Sequence, residues 1–321
     1  MKVKNRAAFL LIGLIGICLI SCKQVINSTT TTSQPLATAT ENKKLSSGDV
    51  ILPTNTSPFE APNEKVTDQP KIKGLIDIGN HQLFINCIGS GTPTIILEAG
   101  WNDVLDTWSY VQPDIAEFSR VCSYDRAGLG KSETGPLPRS MDKEVTELYA
   151  LLEAAGVEGP YILVGHSYGG MLMRLFVDHY PESVAGLVLV DSAHPDSFRR
   201  NLTVLPPESP DDGESLRFYR EWLTYEVENP TVKIDPQLLE AGSLGNIPLV
   251  VLTAKLRERA EDFPKELNEK FIQNWVELQE QLALLSTNSR HVFAEQSGHF
   301  VQHDQPELVI EAVLEIIEQS R

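Results

Sequence analysis

The chain has 321 residues, 41% of them hydrophobic and 22% charged, which supplies apolar material for one large globular core or two ordinary ones. Its formal charge of −17 argues against nucleic acid or anionic lipid headgroups as partners. Four cysteines without a CxxC spacing fall short of a zinc ligand set, so neither a metal nor a cofactor is expected.

Lys2, Lys4 and Arg6 precede an apolar run from Ala7 to Ile20. The run is short for a permanent bilayer span and has the make-up of an export signal. Its end, Leu19-Ile20-Ser21-Cys22, resembles the bacterial lipoprotein lipobox. That resemblance implies cleavage before Cys22, lipidation of this cysteine, and anchoring of an exported protein to the outer side of a bacterial membrane. Residues 1–21 are then a signal peptide, and removing them takes away three cationic side chains and no acid, leaving a charge of −20. Residues 22–71, rich in Thr, Ser, Asn and Pro, lack apolar periodicity and read as a flexible tether. A coil of about 48 residues holds the globular part of the chain roughly 35 to 42 Å from the lipid.

Residues 72–321 carry the periodic structure. Leu75 to Ile78, a Gly79-Asn80 turn and His81 to Ile88 predict a hairpin, and Thr94 to Leu97 a third strand ending in Glu98-Ala99-Gly100-Trp101. A helix around Thr107 to Ser119 and a strand Arg120 to Tyr124 come next. The helix after them, about Ser140 to Ala155, has Ser140 as N-cap, Asp142 and Glu144 in its first turn, and Val145, Leu148, Leu152 and Ala155 as its apolar stripe. Tyr161 to Val164 is a short apolar strand that runs into Gly165-His166-Ser167-Tyr168-Gly169, after which Met171, Leu172, Leu175, Phe176 and His179 recur at helical spacing. A strand Val184 to Val190 precedes a long irregular stretch, 192–246, rich in Pro and acids. A strand Pro248 to Thr253, a helix Phe263 to Leu285, a strand His291 to Ala294 and a helix Gln305 to Ile317 close the chain. The alternation predicts an α/β fold, a mostly parallel sheet of about eight strands with helices on both faces.

An antiparallel hairpin first, and G-x-S-x-G after the fifth strand, resembles the α/β-hydrolase fold over about residues 72–319. The resemblance is carried by Leu97 to Trp101, Arg120 to Gly130, Gly165 to Gly169, Leu187 to Asp191 and Ser297 to Phe300. It implies that Ser167 is a nucleophile pushed out of the sheet by a strained strand-to-helix turn, and that 192–246 is a cap insertion over the pocket. A serine hydroxyl needs a base oriented by an acid, in the chain order Ser, acid, His. His299, after the last strand, is the implied base, with His303 as its rival. Backbone N–H groups of Tyr168 and Trp101 are the implied oxyanion donors. Ala99 stands where many relatives carry a histidine.

For the acid, the usual place is the loop after Pro248 to Thr253, which offers Glu258 and then Asp262. A second place in the fold is the end of the preceding strand, where Asp191 closes an apolar run. A carboxylate there is expensive to bury without a partner, and a triad histidine supplies one, so Asp191 is the expected acid. Asp125-Arg126 and Gly128-Leu129-Gly130 read as structural residues, since no complete nucleotide-binding glycine motif surrounds them. Ser167 at the elbow excludes the relatives that use an aspartate nucleophile. The expected function is a serine hydrolase of a small-molecule carboxylic ester or amide; the alternative is a receptor-like, non-catalytic binding protein. Cys87 and Cys122 fall on the second and fourth strands, neighbours in that fold, which leaves a disulfide and buried free thiols both open.

Overall fold

The computed structural model describes residues 69–228, 243–257 and 262–320. The signal segment with Cys22, the tether up to residue 68, the end of the cap at 229–242, and Glu258 lie outside the described residues. The chain opens with β1 (Ile72–Asp77) and β2 (Gln82–Ile88), joined by a turn in which Gly79 takes a positive φ and its N–H bonds Asp77 Oδ1 at 2.8 Å. After β3 (Thr94–Glu98), the predicted helix 107–119 is instead a 3₁₀ turn, Leu105–Trp108, and a single helical turn, α1 (Gln112–Ile115). Pro113 explains the break: lacking an N–H, it starts the second piece and cannot sit inside a continuous one. β4 (Val121–Tyr124) is next, then α2 (Met141–Ala154), whose first turn is capped by Ser140 Oγ accepting from Lys143 N at 3.3 Å.

β5 (Tyr161–His166), α3 (Tyr168–His179) and β6 (Val184–Val190) stand where the sequence predicts them. The segment expected to be irregular contains α4 (Ser197–Thr203) and α5 (Glu214–Glu228). Its Pro and acid content obscures a helical stripe of Leu216, Tyr219 and Leu223, which packs on Phe263, Leu267 and Phe271 as a separate small core. β7 (Leu249–Ala254), α6 (Lys265–Ala283), β8 (Ser289–Ala294), the short α7 (Val301–Asp304) and α8 (Pro306–Gln319) complete the domain.

The eight strands lie in the order β1-β2-β4-β3-β5-β6-β7-β8. β2 pairs antiparallel with both β1 and β4; every other pairing is parallel. Burial follows from this: the central strands are covered on both faces, and successive residues alternate between two cores. Ile95, Leu97, Ile162, Val164, Val188 and Val190 pack with Trp108, Ile115 and the α8 residues Val309, Val313 and Ile316. Ile96, Leu163, Leu187 and Leu189 face the other way, onto Leu148 and Leu151 of α2 and Leu172 and Phe176 of α3. Cys87 and Cys122 are direct partners across β2 and β4, with Cα atoms 4.1 Å apart, and are joined in a disulfide. The strand order reverses at β3, which has β4 on one side and β5 on the other, and a crevice opens at the carboxyl ends of strands at such a point. Trp101 comes after β3 and Ser167 after β5, so both stand on its rim.

Candidate active site

Ser167 bridges β5 and α3 with φ 53° and ψ −119°, a region that non-glycine residues avoid. The strain is held from outside: Ser167 N donates to Val190 O at 3.1 Å, and Ser167 O accepts from Ala193 N at 2.9 Å and Gly170 N at 3.0 Å. Two glycines permit the approach. A Cβ on Gly165 would lie 2.6 Å from Gly169 O and Gly170 Cα, and one on Gly169 would lie 2.5 Å from Glu98 O. The amino end of α3 therefore presses against the loop after β3, with Tyr168 as the first helical residue behind the serine. The rings of Trp101 and Tyr168 meet edge to face at 4.8 Å, bringing together the two residues expected to donate backbone N–H groups.

Asp191 sits one residue beyond β6, fully buried, at φ 41°. Its Oδ2 accepts from His299 Nδ1 at 2.6 Å and from the Arg257 guanidinium, and its Oδ1 accepts from Ala254 N at 3.1 Å and Trp275 Nε1 at 2.9 Å. Burial alone would raise the Asp191 pKa. The Arg257 charge and the hydrogen bonds from His299 and Arg257 outweigh it and hold the carboxyl well below the ordinary carboxylate range. Arg257 in turn lies 4.0 Å over the Trp275 ring. Asp262 is exposed and bonds the Ser215 N–H at 3.2 Å, so the structure does not bring it to His299.

His303, the rival base, turns away: its Nε2 lies 3.0 Å from Thr107 Oγ1 and 2.9 Å from Thr107 O. His299 and His303 have the spacing of a helical metal-ligand pair, yet the described residues hold no group of three or more candidate ligands. The His166 and His299 rings are tilted at 48° with centroids 4.6 Å apart, and His166 Nε2 meets His299 O at 2.9 Å. A carbonyl only accepts, so Nε2 carries the proton. Burial, and then the neighbouring His299, push the His166 pKa down to about 3, which keeps the ring neutral.

Sequence reasoning missed Arg257 and Trp275, which carry no local motif, and took Arg126 as structural without finding its partners. Arg126 is buried, paired with Glu98 and bonded to the carbonyls of Ala99 at 2.8 Å and Gly100 at 2.6 Å. Tyr124 also donates to Glu98. Burial still pushes Glu98 up to about 6, against the lowering effect of the guanidinium. Asp125 does hold a turn, accepting from Leu105 N and Lys131 N at 2.9 Å each. On the cap side, a cavity is lined by Met171, Ala193, His194, Phe198, Glu226 and Val227.

The model for the alpha/beta hydrolase fold matches residues 93–264. The chain is 32% identical over 228 residues to the uncharacterized protein YqjL of Bacillus subtilis (strain 168), covering 71% of this chain and 85% of that one. It is 26% identical to an AB hydrolase superfamily protein of Gibberella zeae, over 75% of this chain and 92% of that one. Among solved structures, a thermophilic esterase from Thermogutta terrifontis superposes with a TM-score of 0.53 at 21% identity, over 78% of this chain and 99% of that one, a likeness of fold.

Proposed function

The chain belongs to the alpha/beta hydrolase fold family, and from that premise we propose that it is a serine hydrolase cleaving a small-molecule carboxylic ester, or a small amide, through an acyl-enzyme. The observation that carries this reading is the His299–Asp191 pair at 2.6 Å, joined to the strained elbow at Ser167 through the preceding residue, His166, whose Nε2 meets His299 O at 2.9 Å. Asp191 accepts from Nδ1, which fixes the tautomer that leaves Nε2 of His299 as the base. Ser167 Oγ attacks the carbonyl carbon and its proton passes to that nitrogen. Negative charge gathers on the former carbonyl oxygen, where the Trp101 and Tyr168 N–H groups receive it; the positive end of α3 adds to the stabilisation. Collapse expels the alcohol or amine, which takes the proton from His299. Water repeats the sequence to release the acid.

In the same reading, residues 1–21 direct export and residues 22–71 tether the domain 72–321 to the outer side of a bacterial membrane through lipid on Cys22. More than one acyl chain on that residue gives stable anchoring where one alone does not. A fluorophosphonate probe tests the chemistry. Labelling of the wild type and none of Ser167→Ala is the expected pair of results. A folded wild type that takes no label overturns the hydrolase and leaves a binding protein.

A further inference from the structure

Arg126 is buried between the two segments that carry the proposed oxyanion donors. Toward β3, its NH2 donates to Gly100 O at 2.6 Å and its NH1 to Ala99 O at 2.8 Å, and Asp103 N adds a third bond to this loop at Gly100 O, 3.2 Å. A trans peptide is planar, so the Gly100 carbonyl and the Trp101 N–H point in opposite directions. Pinning the carbonyl toward Arg126 therefore sets the direction of the donor. The peptide also abuts the nucleophile: a Cβ on Gly100 would lie 3.5 Å from Ser167 Cβ and 3.0 Å from His166 Nδ1. Toward α3, Arg126 Nε is 3.8 Å from Glu144 Oε2, the oxygen to which the Tyr168 hydroxyl donates at 3.0 Å, and the guanidinium carbon is 5.4 Å from the Tyr168 ring centroid.

We infer that Arg126 is a positioning residue for the oxyanion hole, one that aims and polarises the Gly100-Trp101 peptide while steadying Tyr168 through Glu144. The inference rests on the serine-hydrolase reading above. A charged donor on a carbonyl strengthens the hydrogen bond its peptide N–H gives on the other side, and it does so in a buried, low-dielectric setting. Fork geometry is required, because one cation must satisfy Glu98 and two carbonyls at once; a lysine ammonium has no such fork. The role appears where charge develops on the substrate oxygen and not in ground-state binding.

The test compares Arg126→Lys with Tyr124→Phe, which removes a hydrogen bond from the same buried network without touching Arg126. Arg126→Lys is expected to lose about 10²-fold in kcat, toward the lower end for loss of one oxyanion donor, with KM within about threefold. Tyr124→Phe is expected to keep kcat within about threefold. Affinity for an alkyl boronic acid, whose serine adduct carries the oxyanion charge, should fall in parallel with kcat in Arg126→Lys, while affinity for a carboxylate product stays level. Gly100-Trp101 is the sole Gly-Trp step in the chain, so glycine labelled with ¹³C at the carbonyl and tryptophan labelled with ¹⁵N report this peptide alone by NMR. Its amide signal should move in Arg126→Lys and stay in Tyr124→Phe. If Arg126→Lys does not fold, the pair Glu98→Gln with Arg126→Gln, which removes both buried charges together, replaces it and should show the same loss in kcat. A folded arginine variant with near-normal kcat, or an equal loss in Tyr124→Phe, overturns the inference. These failures are distinct from failure of the hydrolase reading, which shows as a wild type that does not label at Ser167.

Discussion

Replacing Asp191 by Asn exchanges an acceptor of four hydrogen bonds for a group with one acceptor and one donor end. With the amide oxygen toward Arg257 and His299, the NH2 confronts Ala254 N–H and Trp275 Nε1–H. With the amide reversed, the NH2 confronts Arg257 and forces His299 to accept at Nδ1, which puts the proton on the nitrogen that must receive one from Ser167. The first orientation leaves two buried donors without an acceptor and the second leaves one, Arg257, so the reversed amide is favoured and the variant should lose roughly 1 to 3 kcal/mol of unfolding free energy. Its kcat should fall about 10⁴-fold, the loss a wrong tautomer produces in a triad. The folded Asp191 carboxyl titrates far below its unfolded value near 3.8, so its stabilisation is complete above about pH 4 and fades as pH falls further. The stability gap between wild type and variant should therefore narrow below about pH 4. Turnover of a p-nitrophenyl ester and urea unfolding, measured on the same preparations, check both numbers. A folded Asp191→Asn within tenfold of wild-type turnover would refute the assignment and shift the acid to Glu258.

Burial pushes His166 down to about 3 and His194 to about 4 from 6.5, so below pH 6.5 the unfolded chain takes up protons that the folded one refuses. Unfolding free energy should fall with pH by up to about 1.4 kcal/mol per unit per histidine, and His194→Gln should remove one such share between pH 6.5 and 4.5; an unchanged slope in urea titrations counts against the buried neutral ring. The Cys87–Cys122 bridge closes a 35-residue separation, and converting both residues to Ala should lower unfolding free energy by about 2 to 4 kcal/mol. Non-reduced peptide mapping should recover the two cysteines linked; two alkylated thiols would contradict the bridge. Cys22→Ser should abolish incorporation of labelled palmitate, and label persisting in that variant would sink the lipid anchor.

The parts of this molecule written in local pattern were legible in its sequence. β6 stands at Val184–Val190 as its apolar run predicts, and the Gly165-x-Ser167-x-Gly169 elbow announces itself because the tight approach tolerates only glycine at its flanks. α5 was hidden because its stripe of three apolar residues is diluted by acids, and its burial depends on Phe263, Leu267 and Phe271 more than 30 residues on. Arg257, Trp275 and Arg126 illustrate a further limit. Each is an ordinary residue in its own segment, and its part in the site exists only after the carboxyl ends of β3, β6 and β7 are brought together by strand pairing.

In the proposed triad the carboxylate comes from the end of β6, and the connection after β7 contributes Arg257, which pairs with it. Relatives that keep their acid after β7 bind that loop to the reaction, and any drift in its sequence risks the enzyme. Under the proposed assignment positions 258–261, which follow Arg257 in the chain, supply no reacting group. A mutagenesis library confined to those four positions should therefore keep turnover of a p-nitrophenyl ester, and its loss on changing Glu258 alone would return the acid to that segment.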